Sequence, residues 1–373
     1  MKIRKMVCLL VAAVVLVGCG KTEKKPTTAQ EQTKKEPIQY EKLSDEELEV
    51  YSLDGDVKAQ MEIANRYDYG ASLTGHDFNK AKTYYEMAAA QNNADAQRCL
   101  GYIYLNGCLG EQDLDKAMDW FQQAIANGDD DAYVGVGRAY LAGYGEVDQQ
   151  KAKAFENIDT AYQNGRPVGV YYMAYLMEMG LGASVDYPKA IELYESVEKM
   201  EDLSIYDAFI KDAAQTRLGV MYVEGKGVEQ NYDTALEYFT KSAKNDYAMA
   251  QYYMGQMYEN GYGVDKNYEK AFDWYVKAAE QEYAPAQNQL GYLYYKGNGV
   301  DADVDQAIYY HKLAAMQGYA AAQINLGYLY ENGIGVEQNS ETALKYYEMA
   351  AQQDNEGAKE AVARVQKQMN EKK

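Results

Sequence analysis

The sequence predicts an all-α fold, an α/α solenoid of about eight helix–turn–helix repeats stacked side by side. Three observations predict it. Gly219, Gly255, Gly291 and Gly327 recur 36 residues apart. Apolar stripes with helical spacing accompany each of these glycines. The composition, 47% hydrophobic and 25% charged with 5 prolines against 39 tyrosines, belongs to a folded chain that tolerates helices and copies one motif many times.

Four segments align without gaps, starting at Ala214, Ala250, Ala286 and Ala322; the second reads AQYYMGQMYENGYGVDKNYEKAFDWYVKAAEQEY. Looser copies start near Ala59, Ala96, Ala132 and Gly169, and Ala64 and Ala174 replace the helix glycine in the first and fourth. Alanine, leucine, glycine and tyrosine at offsets 0, 4, 5 and 8 share one face of a first helix. The glycine admits a close neighbour. Gly-x-Gly-Val then ends that helix, because glycine takes a left-handed cap at no steric cost. Ala271, Trp274, Tyr275 and Ala278 form the stripe of a second helix. One hairpin cannot bury both faces, so stacking must complete the core.

The fourth copy is degenerate. Met177 stands at the tyrosine position and Tyr187-Pro188 precede its second helix. From Ala174 to Gly219 the spacing is 45, nine beyond the period, with the excess in KMEDLSIYDAFIKDA at 199–213. This stretch reads either as a tolerated insertion or as a joint between repeats 1–4 with their cap (44–198) and repeats 5–8 (214–355). A terminal helix over 356–373, with Ala361, Val362 and Val365 on one stripe, caps the end. Leu43 to Val50 does the same at the start, with Ser44 and Glu47 spaced as a capping box.

The repeats resemble the Sel-one-like repeat family, a branch of the tetratricopeptide superfamily, through the pattern A-x-x-x-L-G-x-x-Y-x-x-G-x-G-V…K-A-x-x-W-Y-x-K-A-A. Residues 214–355 follow it almost throughout. The resemblance implies a right-handed superhelix and an adaptor that holds other proteins in a concave groove, in bacteria often secreted or surface-attached.

The first 18 residues are basic, with Lys2, Arg4 and Lys5, and then apolar from Met6 to Val17. That run is too short to cross ~30 Å of hydrocarbon as a helix and fits a secretory signal. It ends Leu16-Val17-Gly18-Cys19, which resembles the bacterial lipoprotein box. The resemblance implies cleavage before Cys19, lipidation (palmitate) of its sulfur and anchoring on the extracytoplasmic face of a bacterial membrane. Residues 19–43 are polar and charged, a flexible tether reaching roughly 25–30 Å. Of the remaining cysteines, Cys99 and Cys108 sit nine residues apart. A continuous helix would separate them by about 13 Å, beyond the ~7 Å that a disulfide permits, so two apolar fillers are expected.

The net charge is -20. Losing the signal removes three cations and no acid, giving -23. Such a field disfavours nucleic acid and favours a neutral or basic protein or peptide partner. A monomer without cofactors is expected. His76 and His311 lie far apart, against a histidine metal site or catalytic array.

Three strings imitate chemistry. Ser196-Val197-Glu198-Lys199 has the S-x-x-K form of penicillin-recognising enzymes, without S-D-N or K-T-G companions. Asp301, Asp303 and Asp305 have calcium-loop spacing, but Gln306 and Lys312 occupy positions that need glycine and glutamate. Gly225-Lys226-Gly227 follows a helix rather than a strand, unlike a phosphate loop. The expectation is therefore a scaffold with no reaction. A cell-wall enzyme or binder acting on β-lactam or peptidoglycan, and a glycan-binding surface protein, are the alternatives. By analogy with tetratricopeptide grooves, offsets 2, 6, 9 and 10 of the first helices face the partner. They carry Arg98, Tyr102, Arg138, Tyr171, Tyr175, Tyr252, Gln256, Tyr292, Tyr295 and Tyr328, and aromatics with arginine dominate interface energetics.

Overall fold

The computed structural model of the chain describes residues 38–68, 76–201, 203 and 205–371. The signal segment and Cys19 lie outside them. Eighteen α-helices make up the regular structure among the described residues, besides two single 3-10 turns. The first helices of the eight hairpins are α2 (Val57–Asp68), α4 (Ala94–Leu105), α6 (Ala132–Leu141), α8 (Pro167–Met179), α10 (Ile205–Glu224), α12 (Ala248–Asn260), α14 (Ala284–Lys296) and α16 (Ala320–Asn332). Their partners are α3 (Phe78–Ala89), α5 (Leu114–Ala126), α7 (Gln150–Gln163), α9 (Tyr187–Glu198), α11 (Tyr232–Ala243), α13 (Tyr268–Glu280), α15 (Val304–Met316) and α17 (Ser340–Ala351). Each helix packs on the next in chain order, between α1 (Asp45–Leu53) and α18 (Glu356–Glu371). The fold is an all-α solenoid.

The glycine at offset 5 is set by a side chain from the second helix, a ring in every case but Gly137, which faces Ile158. A Cβ on Gly255 would lie 2.5 Å from Cε1 of Tyr275. Phe121, Phe239, His311 and Tyr347 press on Gly101, Gly219, Gly291 and Gly327 in the same way. Ala64 and Ala174 are fully buried at the corresponding positions, where Tyr85 and Tyr194 supply the ring. Those two hairpins accommodate one more methyl group. Of the paired loop glycines, the first caps the helix, as Gly261 does for α12 with φ 76. The second lets the loop settle on the preceding repeat: a Cβ on Gly299 would lie 2.3 Å from the Tyr268 carbonyl oxygen at the start of α13. One glycine pair thus ends a helix and sets the spacing between repeats.

Seven of the eight second helices begin with Asp or Asn caps, α7 being the exception. Asp77, Asp113, Asp186, Asn231, Asn267, Asp303 and Asn339 each accept from the backbone three residues on, a contact worth about 1 kcal/mol. A glutamine beside the first alanine closes five of the eight hairpins from within. Gln281 donates to Gln251 (2.8 Å), Gln317 to Gln287 (2.7 Å) and Gln353 to Gln323 (3.0 Å). Gln91 to Gln60 and Asn127 to Gln97 repeat the rung near the N-terminus.

The excess at 199–213 becomes mostly helix. α10 has 20 residues where α12, α14 and α16 have 13 each. The rung is rewired there: Asn245 donates instead to Asp212 (2.7 Å), and the buried Oε1 of Gln215 has no hydrogen-bond partner among the described residues. Ser44 and Glu47 form the expected capping box, and Ala361 and Val365 of α18 are buried on the last hairpin.

The sequence places 40–43 in a flexible tether; the structure fixes them. Arg66 of α2 donates to the carbonyls of Tyr40, Glu41 and Leu43 at 2.7–3.2 Å and pairs with Asp45 and Glu62. Tyr40 and Leu43 pack on the first core.

Candidate functional site

Side-chain bonds run from first helix to first helix along the array. Arg138 reaches Asn106, Arg217 reaches Glu178, Gln289 reaches Glu259, Asn325 reaches Asn288 and Arg364 reaches Glu331. The backbones of α4 and α6, α6 and α8, and α8 and α10 also approach each other. First helices are therefore the inner layer, and their outward offsets form one continuous wall.

A three-residue unit recurs on that wall. The phenol of Tyr194 donates to Glu178 (2.9 Å), which also accepts from Arg217 of the next repeat. Tyr275, Glu259 and Gln289 repeat it at 2.5 and 3.2 Å, and Tyr347, Glu331 and Arg364 at 2.8 and 2.7 Å. These donors are what let a carboxylate such as Glu178 stay buried. Burial opposes ionisation at Glu331, but the Arg364 and Tyr347 hydrogen bonds outweigh it and hold the carboxyl below its usual range.

The wall is aromatic. Tyr171, Tyr172 and Tyr175 of α8 form an edge-to-face run at 5.2 and 6.4 Å, with the Arg217 guanidinium 5.9 Å from the Tyr175 ring. Farther along, Tyr252 meets Tyr253 (5.4 Å) and Tyr283 (5.5 Å) and accepts from Gln256 (2.8 Å). Burial raises the phenol pKa of Tyr171, Tyr252 and Tyr283, and pushes Tyr102 up to about 12. These rings stay neutral and keep their donor protons at any physiological pH.

The expected partner-binding residues separate into groups. Tyr102 and Arg138 meet, the guanidinium 5.0 Å from the ring. Tyr171, Tyr175, Tyr252 and Gln256 line the half-buried stretch just described. Tyr292 and Tyr328 are 40% and 47% exposed, equivalent positions on adjacent first helices. Tyr295 packs partly into the core between α15 and α16, with Lys296 5.0 Å from its ring. Arg98 is already held by Asp129 (2.6 Å) and Asp95 (2.7 Å). Sequence reasoning missed offset 3, which carries Tyr172, Arg217 and Tyr253. The recurrence of Glu178, Glu259 and Glu331 at offset 9, with Arg217 and Gln289 at offset 3 of the following helix and Arg364 at offset 6 of the terminal one, was the available signal.

Strings that imitate catalysis are engaged locally. The Ser196 hydroxyl donates to the Leu193 carbonyl (2.7 Å), and Lys199 pairs with Glu195 (3.2 Å). Asp303 is the N-cap of α15. Among the described residues no group of three or more His, Cys, Asp or Glu side chains could hold a metal. His311 is buried against Gly291, and burial lowers it to about 4, so it is neutral. Cys99 is a free thiol that burial pushes up to about 12. No helix among the described residues is long and apolar enough to cross a membrane.

The Sel1 repeat family matches eight consecutive stretches: 57–93, 94–129, 130–165, 167–196, 212–247, 248–283, 284–319 and 320–355. The chain belongs to the Sel1 repeat family. The two longest departures from its period coincide with the degenerate α8–α9 hairpin and the extension of α10. Among solved structures, this Sel1-repeat chain is similar to a Sel1 repeat protein from Oxalobacter formigenes, at 26% identity over 86% of this chain and 89% of that one, with a TM-score of 0.50. It is also similar to a protective antigen of uropathogenic Escherichia coli with an SLR fold, at 29% identity over 87% and 67%, TM-score 0.44. An immunity protein from Pseudomonas aeruginosa shares 19% identity over 71% and 82%, TM-score 0.34. No curated protein matches the chain.

Proposed function

We propose that this chain is a scaffold of the bacterial cell envelope, held at a membrane by a lipid on Cys19, that binds a protein or peptide segment along the wall of first helices. No chemical step belongs to this reading. The observation that carries it is the exposure of Tyr292 and Tyr328 at the same register of neighbouring repeats, 40% and 47%, next to a wall of tyrosines held in place by core contacts. A large ring left in water at a repeated position is a poor core residue and a good anchor, since tyrosine offers a rigid apolar face and a polar tip at small entropic cost. Membership of the Sel1 repeat family, many of whose members assemble other proteins, supports the same reading. The net charge of -20 points to a neutral or basic segment as the occupant.

Crosslinking in intact cells tests this. The Tyr292→Ala/Tyr328→Ala double variant is expected to lose the partner captured by the native chain while its helicity and melting temperature stay nearly unchanged. Retention of that partner removes the groove from the account. Cys19→Ser is expected to move the protein from the membrane to the soluble fraction. Nitrocefin turnover that disappears in Ser196→Ala would favour a cell-wall enzyme instead.

A further inference from the structure

Six of the chain's seven arginines are among the described residues. Five of them are ion-paired: Arg66, Arg98, Arg166, Arg217 and Arg364. Arg138 differs. Its partners among the described residues are the Asn106 Oδ1 atom at 3.3 Å and the side chains of Tyr102 and Tyr172, whose rings lie 5.0 and 5.6 Å from its guanidinium. None is a carboxylate, in a chain with 57 acidic residues.

The sequence explains the exception. Arg217 and Arg364 find their carboxylates at offset 9 of the preceding first helix, Glu178 and Glu331. In repeats 2 and 3 that offset holds Leu105 and Leu141. The nearby Asp131 is committed to Arg166 through two hydrogen bonds of 2.7 and 2.8 Å. Arg138 is thus half-buried on the inner wall, steadied by two rings, a hydrogen bond to the Tyr102 phenol and one amide, with no carboxylate among the described residues to answer its charge. Stacked rings hold a guanidinium and still leave its edge free, and the edge is the part that grips a carboxylate through two parallel hydrogen bonds.

We propose that Arg138, with Tyr102, Tyr172 and Asn106, is a seat for one carboxylate of the bound peptide. This rests on the reading of the first-helix wall as the binding surface and adds a chemical requirement to it. The field of the whole chain repels a strongly acidic segment. The occupant is therefore neutral or basic overall and carries a single carboxylate that reaches Arg138.

The test uses the nitrogen-15-labelled chain from Cys19 onward and the arginine Nε–Hε correlation spectrum, with the Arg138 signal identified by its loss in R138Q. The probes are N-acetylglycine, N-acetylglycinamide, the α-amide of N-acetylaspartic acid and inorganic phosphate, at matched ionic strength. A saturable shift of the Arg138 signal with either acid, and none with N-acetylglycinamide, is expected. Whichever acid acts at lower concentration distinguishes a terminal from a side-chain carboxylate. Tyr102→Leu should weaken the response about tenfold, near the value of one charge-assisted hydrogen bond. An unmoved signal, an equal response to the amide, or a response to phosphate alone overturns the proposal. Cell crosslinking separates the two levels. A partner lost from Tyr292→Ala/Tyr328→Ala but kept by R138Q defeats the carboxylate seat and spares the groove. A partner kept by both variants defeats the groove itself.

Discussion

The hairpins at 248–355 and the joint around α10 use the same parts with different outcomes. In the regular hairpins every glutamine at offset 1 is closed by a glutamine at the end of the second helix, 30 residues on. At the joint the end position holds an asparagine, a residue that still closes the rung from Asn127 to Gln97 in the second hairpin; here it is Asn245. It turns to Asp212 on the extended α10, and Gln215 keeps a buried oxygen without a partner. The backbone absorbs seven of the nine extra residues by lengthening a helix, which costs little. The buried polar network has fixed stations and cannot slide. Periodicity in this fold is therefore a matter of side-chain hydrogen bonds as much as of helix packing.

Substitutions can break this comparison, beginning with the largest effect. Gly255→Val places a branched side chain where Tyr275 already sits and should destabilise the chain by about 3 kcal/mol. Ala174→Gly, at the equivalent position beside the joint, should cost only the ~1 kcal/mol of helix propensity. Urea titration of both variants decides, and equal effects would mean that the close approach at Gly255 is unimportant. Next, Gln251→Met removes a closed rung and should cost about 1–2 kcal/mol. Gln215→Met removes an unpaired buried oxygen and should be neutral or slightly stabilising. A matching loss at both sites would show that the joint is wired like the rest.

The smallest effect concerns pH. Burial raises Asp212 to about 6, against which Asn245 and Lys211 act weakly, and burial raises Asp68 to about 6 as well. Both carboxyls bind their proton more tightly folded than unfolded. Their contribution to stability is present below about pH 4 and is lost as pH rises through 6. The melting temperature should therefore increase on going from pH 7 to pH 5, and Asp212→Asn should reduce that slope. Glu331, held low, acts in the opposite sense only below its usual range.

Much of this was legible in the sequence. The 36-residue period, the helix glycines, the Gly-x-Gly caps and the Ser44–Glu47 box depend on local rules, and local rules are written in consecutive residues. Tyr102 beside Arg138 was legible because both sit at offset 6. The role of Tyr172 and Arg217 was not. Their offset faces the preceding repeat only once the superhelical turn is in place, and a single helix does not reveal that turn. Arg98 resembled a groove residue for the same reason, since Asp129, which holds it, lies 31 positions away. Residues 40–43 looked like free tether because a lone guanidinium on α2 collects their carbonyls.

That guanidinium has a mechanical consequence. Any pull on the polypeptide upstream of Tyr40 arrives at Arg66 across three carbonyls and the Asp45 carboxylate in parallel. The strain is then shared by several bonds loaded together instead of peeling the first turn away one contact at a time. Arg66 works as a mooring cleat, and load taken there spares the hairpins behind it.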